Sequence, residues 1–177
     1  MVSRPSAGFT LPELATVLAI TGLVGALALP AMGEAIARYR LHAAADDLLD
    51  ALRLARATAL WRDHRVDVCP PRADLTCSLR GDWTSGWIVR DLPTGKIITS
   101  SARLARKIRA LRTPGRHGFS FDGRGAAFGT NQRIVLCVAG RPATSLAVVV
   151  GNAGRVHRDV AKPDEAASCA RARSGQP

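Results

Sequence analysis

From Phe9 to Met32 the chain is apolar almost without interruption, FTLPELATVLAITGLVGALALPAM, and Glu13 is the only charged residue in the run. A helix of that length reaches across the hydrocarbon core of a bilayer, which takes about 20 apolar residues. After Gly33 the continuous run becomes a periodic one. Leu41, Ala45, Leu48, Leu52, Ala55 and Ala59 recur at alternating spacings of four and three, which lines one face of an amphipathic helix. Asp46, Asp47, Asp50, Arg53 and Arg56 fall mainly on the other faces. Only Pro30 and Gly33 interrupt the pattern, so it predicts one helix from about Phe9 to about Arg62, membrane-spanning over 9–35 and amphipathic over 36–64. Pro30 removes a helical hydrogen bond and predicts a kink or a local loosening. Pro12 falls in the first turn, where its missing N–H costs little.

Beyond His64 the pattern turns β-like. Short runs at Arg65–Cys69, Gly86–Asp91, Lys96–Ser100, Gly118–Phe121, Arg133–Ala139, Ser145–Val150 and Arg155–Val160 are separated by Gly, Pro, Asn and Asp. Leu146–Val150 is unbroken in its apolarity, as a central strand requires. Ala102–Arg112 fits either a helix, through Leu104, Ile108 and Leu111, or a strand. Antiparallel strands after one long helix predict an α+β chain: a helix packed on a small antiparallel β-sheet domain over 65–160. The tail, 161–177, is polar and reads as loosely ordered apart from its cysteine.

Hydrophobic residues make up 47% of the 177 positions but aromatics only 5%, so the core rests on Leu, Val, Ile and Ala. The net charge of +11 is uneven. Residues 1–100 carry 11 Lys and Arg against 10 Asp and Glu, whereas residues 101–177 carry 14 against 4. Such asymmetry points to an anionic partner, namely nucleic acid, a membrane surface or an acidic protein; the plainer reading is a solvated basic face.

Cys69, Cys77, Cys137 and Cys169 are even in number, and four cysteines allow three connectivities. The favoured one joins Cys69 to Cys77 across a short proline-containing loop and Cys137 to Cys169 from strand to tail. Zinc is the rival reading, but neither a C-x₂-C spacing nor a paired histidine is present. No metal or cofactor is expected. His42, His64, His117 and His157 are scattered, and Gly123, Gly125 and Gly129 have the wrong spacing for a phosphate loop, so nothing points to an enzyme.

Three readings compete for the N-terminus: a secretory signal cut after Ala26-Leu27-Ala28, a plain anchor, and one that depends on the stretch Gly8 to Leu14, GFTLPEL. Glu13 separates them, because a carboxylate near the start of a membrane helix is costly and marks function. The stretch resembles the leader of type IV prepilins and type II secretion pseudopilins. That resemblance implies a leader over 1–8, a cut between Gly8 and Phe9 by a prepilin peptidase, and methylation of Phe9 as the new N-terminus. It also implies that Glu13 pairs with a neighbouring subunit's terminal amine during filament assembly. A pilin-like fold, an inner-membrane anchor with a periplasmic domain, later display in a pilus at the cell surface and other pilins as partners follow from the same resemblance.

Gly86-Trp87-Ile88-Val89, the Phe119–Phe121 and Arg133–Cys137 segments, and a last apolar strand running into Gly154-Arg155 are similar to the FimT/GspH group of minor pilins and pseudopilins. Some FimT-type members bind DNA for natural transformation through a C-terminal Gly-Arg-x-Arg motif. Here the matching stretch is Gly154-Arg155-Val156-His157-Arg158, with one extra residue between the arginines, so that along a strand Arg155 and Arg158 point to opposite faces. The resemblance thus makes Arg155 and Arg158 DNA contacts, joined by Arg103, Arg106, Lys107, Arg109, Arg112 and Arg116, with Arg171 and Arg173 nearby in the tail. Arginine offers a planar, permanently charged fork to phosphate oxygens. Binding of that kind is salt-sensitive and indifferent to sequence, which suits double-stranded DNA. The alternative is a GspH-like pseudopilin of a type II secretion system, with a structural role and no DNA contact.

Overall fold

The computed structural model describes residues 10–78 and 82–172, and of 27–31 the backbone alone. The chain divides into two compact units, Met1–Ile36 and Ala37–Pro177. One helix, α1 (Leu11–Arg62), begins in the first and ends in the second. The single helix read from the sequence is therefore present, and its backbone is helical through Pro30. In the first unit the apolar side chains of Leu11, Leu14, Leu18 and Leu23 are exposed. Among the described residues no helix is long and apolar enough to cross a membrane. The expected span, 9–35, includes Phe9 and the side chains of 27–31, which lie outside the described residues, as does the leader 1–8 with Gly8.

In the second unit the periodic face of α1 is the spine of the core. Leu41, Ala45, Leu48, Leu52, Ala55 and Ala59 are all buried. The alanines among them let the helix approach a sheet closely, while the leucines fill the space between. The helix stops because Asp63 adopts a left-handed φ of 51°, and the His64 N–H then bonds back to the Ala59 carbonyl at 3.3 Å.

Eight strands follow: β1 (Val66–Cys69), β2 (Ile88–Asp91), β3 (Ile97–Ser100), β4 (Ile108–Arg112), β5 (Phe119–Phe121), β6 (Gln132–Val138), β7 (Arg141–Val150) and β8 (Val156–Asp159). They form two four-stranded antiparallel sheets, ordered β3-β2-β1-β5 and β4-β6-β7-β8, which together make up the expected antiparallel β domain. Both contribute to the core around α1, through Val66, Val68, Val89 and Phe121 from the first and Ile108, Ile134, Leu136 and Val148 from the second. Trp83, in a short 3₁₀ turn (Trp83–Ser85), meets Phe119 edge to face at 5.6 Å.

Ala102–Arg112, ambiguous in the sequence, is irregular to Ala105, turns, and becomes β4. β7 starts earlier than the sequence predicts because its first residues, Arg141 and Pro142, sit in a bulged hairpin where proline removes no ladder bond.

The tail is the main correction. In place of a loose segment the structure has a second helix, α2 (Pro163–Arg171). Its signals are local: Pro163 at the first turn, Asp164 and Glu165 next to the positive pole, Arg171 at the negative one. α2 covers the outer face of the second sheet, packing Ala166 and Cys169 on Val135, Cys137 and Ala147. Both favoured disulfides are present, Cys69–Cys77 and Cys137–Cys169, and the second fastens α2 to β6.

Candidate anion-binding surface

Thr10 and Glu13 bond to each other at the start of α1. The Glu13 carboxylate accepts the Thr10 backbone N–H at 3.3 Å, and the Glu13 and Leu14 N–H groups bond back to the Thr10 carbonyl. Glu13 thus has a local task in the first turn, and its carboxylate remains exposed.

The Gly154-Arg155 turn is built by close approach. Gly154 has a φ of 73°, and a Cβ placed on it would lie 1.8 Å from the Gly125 carbonyl oxygen. Arg56 of α1 holds the two loops together by donating to the Gly125 carbonyl at 3.0 Å and to the Ala153 carbonyl at 3.4 Å. The Gly125 loop is itself closed by Asp122, whose carboxylate takes the Ala126 N–H at 2.8 Å and the Arg124 N–H at 3.0 Å. The bond from Ala126 contributes most to keeping the Asp122 carboxyl below its usual range, against a smaller cost of burial. Arg155, next to this rigid turn, is exposed and has no ion pair among the described residues.

Arg158 differs. The β8 register puts it opposite Val148, on the face of the sheet that looks toward α1. There its guanidinium is ion-paired with Asp46 and reaches the His42 carbonyl at 3.5 Å. The side of β8 that carries His157 and Asp159 faces the other way. Arg133 of β6 ties that side down through Asp159 at 2.7 Å, the Val160 carbonyl at 2.9 Å and Glu165 of α2 at 3.3 Å. The two arginines thus differ in setting: Arg155 is exposed just before β8, whereas Arg158 sits within the strand and is held by Asp46.

The remaining predicted contacts divide into two groups. Arg112 and Arg158 lie in one cross-strand row, Arg112–Ile134–Val148–Arg158, on opposite edges of the second sheet. Three interstrand spacings separate them by about 14 Å. Arg112 donates to the Arg116 carbonyl, and Arg116 to the Gly129 carbonyl, at the end of the sheet that also carries Arg155. Arg106, Lys107 and Arg109 occupy the opposite end of β4. Arg103 stands apart on the wall of a groove of about 710 Å³ between α1 and the 99–105 segment, where it bonds Ser85 at 3.3 Å. The sequence groups these cations by proximity along the chain, whereas the sheet disperses them.

Arg141, absent from the predicted set, and Arg171, read in the sequence as a cation of the tail, join the Lys107 group. The Ala139 N–H bonds to the Lys107 carbonyl at 2.7 Å, and the Gly140 N–H to the Ala170 carbonyl at 2.9 Å. These bonds bring Arg141 and Arg171 to the same end of the sheet. The helical signals of 163–171 were the clue that the tail returns to the sheet. Among the described residues no group of three or more His, Cys, Asp and Glu side chains could hold a metal ion.

Residues 44–154 match the model of the family described as "Type II transport protein GspH". No curated protein matches the chain. Among solved structures the chain is similar to the type IV minor pilin FimU of Pseudomonas aeruginosa (strain PAO1) in two crystal forms. The first has 19% identity and a TM-score of 0.55 over 72% of this chain and 92% of that one. The second has 18% identity and a TM-score of 0.52 over 67% and 91%. At such identity the likeness is one of fold: a helix on antiparallel sheets.

Proposed function

The chain belongs to the GspH family of pilin-like proteins, and from that premise we propose that it is a minor type IV pilin that binds duplex DNA without sequence preference during DNA uptake. The observation that carries this reading is the state of the eight predicted contacts: Arg158 alone is in an ion pair, and Arg103, Arg106, Lys107, Arg109, Arg112, Arg116 and Arg155 face no carboxylate among the described residues. Cations left unpaired on a surface are available to phosphate, and each phosphate contact adds to the salt dependence of binding. The leader cut between Gly8 and Phe9, methylation of Phe9, insertion of 9–35 in the inner membrane and pairing of Glu13 with a neighbouring subunit belong to the same proposal.

The test is a salt titration of the full chain, in non-ionic detergent, against duplex DNA. Affinity should fall steeply and linearly on a log–log plot, by close to one order per phosphate contact for a tenfold rise in salt. Absence of binding at low salt sinks the DNA reading. It would favour the second one, a pseudopilin of type II secretion, which the description of the matched family supports.

A further inference from the structure

At the end of the second sheet remote from Arg155, three segments meet. The first is the turn Ala105–Ile108, closed by the Ile108 N–H on the Ala105 carbonyl at 2.9 Å, with Arg106 and Lys107 exposed at its tip. The second is the β6–β7 hairpin around Gly140, and the third is the last turn of α2, which ends at Arg171. The Cys137–Cys169 bridge holds the third segment to the sheet. Residues 101–112, 139–144 and 166–172 contain no aspartate or glutamate.

Lys107 has a φ of 75° at the third position of its turn, where tight turns take glycine. A lysine there is strained, and strain of this sort gathers at functional positions. Arg109, at the start of β4, donates to the Ile108 carbonyl at 3.2 Å, and among the described residues it faces no carboxylate and its buried Nε has no partner.

Resting on the DNA reading, we propose that this corner, completed by α2, is the principal phosphate-binding surface, with Arg106, Lys107, Arg109 and Arg171 as its contacts. Three interstrand spacings and about seven residues of strand separate it from Arg155 by roughly 28 Å, so the two sets cannot share one phosphate. Cations drawn from two segments that are far apart in the chain suit a repeating polyanion better than a single phosphate group. None of the three segments exposes a large apolar side chain, which a membrane-seated surface would require. Duplex backbone is the ligand that fits both facts.

The experiment uses the full chain in non-ionic detergent, a fluorescent duplex and a salt series, with Lys107→Gly, Arg106→Ala/Arg171→Ala and Arg155→Ala variants. Each lost phosphate contact should lower the salt slope by about one. Lys107→Gly should weaken binding several-fold while its Tm stays equal or rises, because glycine relieves the strained φ; a merely misfolded variant would lose both. Arg155→Ala should bind nearly as the parent does. If Arg155→Ala abolishes binding and the corner variants bind normally, the inference is overturned and the DNA reading stands. If the parent does not bind the duplex at low salt, both fall. Binding to phosphatidylglycerol vesicles in place of duplex overturns the inference in favour of a lipid surface.

Discussion

Gly154 and Gly125 touch backbone to backbone: a methyl group on the first would lie 1.8 Å from the carbonyl oxygen of the second. The glycine of the Gly-Arg stretch is therefore a packing residue, which fits the β7–β8 turn against the loop after β5. Gly154→Ala meets both that clash and a φ of 73°, and the obstructing atom is backbone that cannot swing aside. The expected loss is about 2–4 kcal/mol, the sum of overpacking and left-handed strain. Urea unfolding measures it, and a midpoint equal to the parent's would refute the contact.

This contact also shows what the sequence can and cannot disclose. The buried face of α1 was legible because its period of three and four is a local property that survives any tertiary arrangement. Strand positions were legible for the same reason. The pairing of Gly154 with Gly125, or of Arg158 with Asp46, joins positions far apart in the chain, and no spacing encodes it. The tail was misread for a different reason. Ala166, Ala167 and Ala170 give a weak apolar face, so the polar composition hid the helix although its proline and acidic first turn announced it. The scatter of the arginines followed from strand order, which pattern alone does not fix.

Asp91 supplies a pH prediction. Its side chain is fully inaccessible at the end of β2, with Arg62 at 2.6 Å and His64 at 3.5 Å. Burial is the largest influence and favours the neutral acid. The Thr94 N–H, the Arg62 hydrogen bond and the His64 charge together outweigh it and hold the carboxyl below its ordinary value. A carboxyl depressed in the folded state contributes stability that is complete above the unfolded value, near 3.8, and is lost as pH falls through the lower folded value. The midpoint of urea unfolding should therefore drop as the pH falls below the unfolded value near 3.8. Asp91→Asn should flatten that part of the profile while lowering stability at pH 7, because Arg62 keeps its charge without a counterion. An unchanged profile in the variant would assign the acid sensitivity to other groups, such as Asp122 and Asp159.

The two disulfides should differ in worth. Cys69–Cys77 closes a separation of 8 residues and Cys137–Cys169 one of 32. On chain entropy alone these correspond to about 2.5 and about 3.7 kcal/mol. Cys137→Ala/Cys169→Ala should be the more damaging pair and should release α2 first, visible as faster amide exchange across Pro163–Arg171 than across β6. Equal exchange in both elements would mean that Arg133, through Asp159 and Glu165, holds α2 without the bridge.

Asp46 and Arg158 define the last expectation. The pair is half exposed, with side chains 59% and 37% accessible, so breaking it should cost no more than about 1 kcal/mol. Its functional consequence should be larger. In the parent the guanidinium of Arg158 is held by Asp46 and the His42 carbonyl, and a phosphate must displace a carboxylate to reach it. Arg158→Ala should therefore alter DNA affinity little. Asp46→Ala should raise it, by freeing one cation and removing one repelling charge. The double variant separates the two causes: if the gain survives when Arg158 is also absent, it comes from the lost negative charge, and if it disappears, Arg158 is a contact that Asp46 restrains. A large loss of binding in Arg158→Ala alone, with its fold intact by circular dichroism, would show instead that phosphate already displaces the carboxylate.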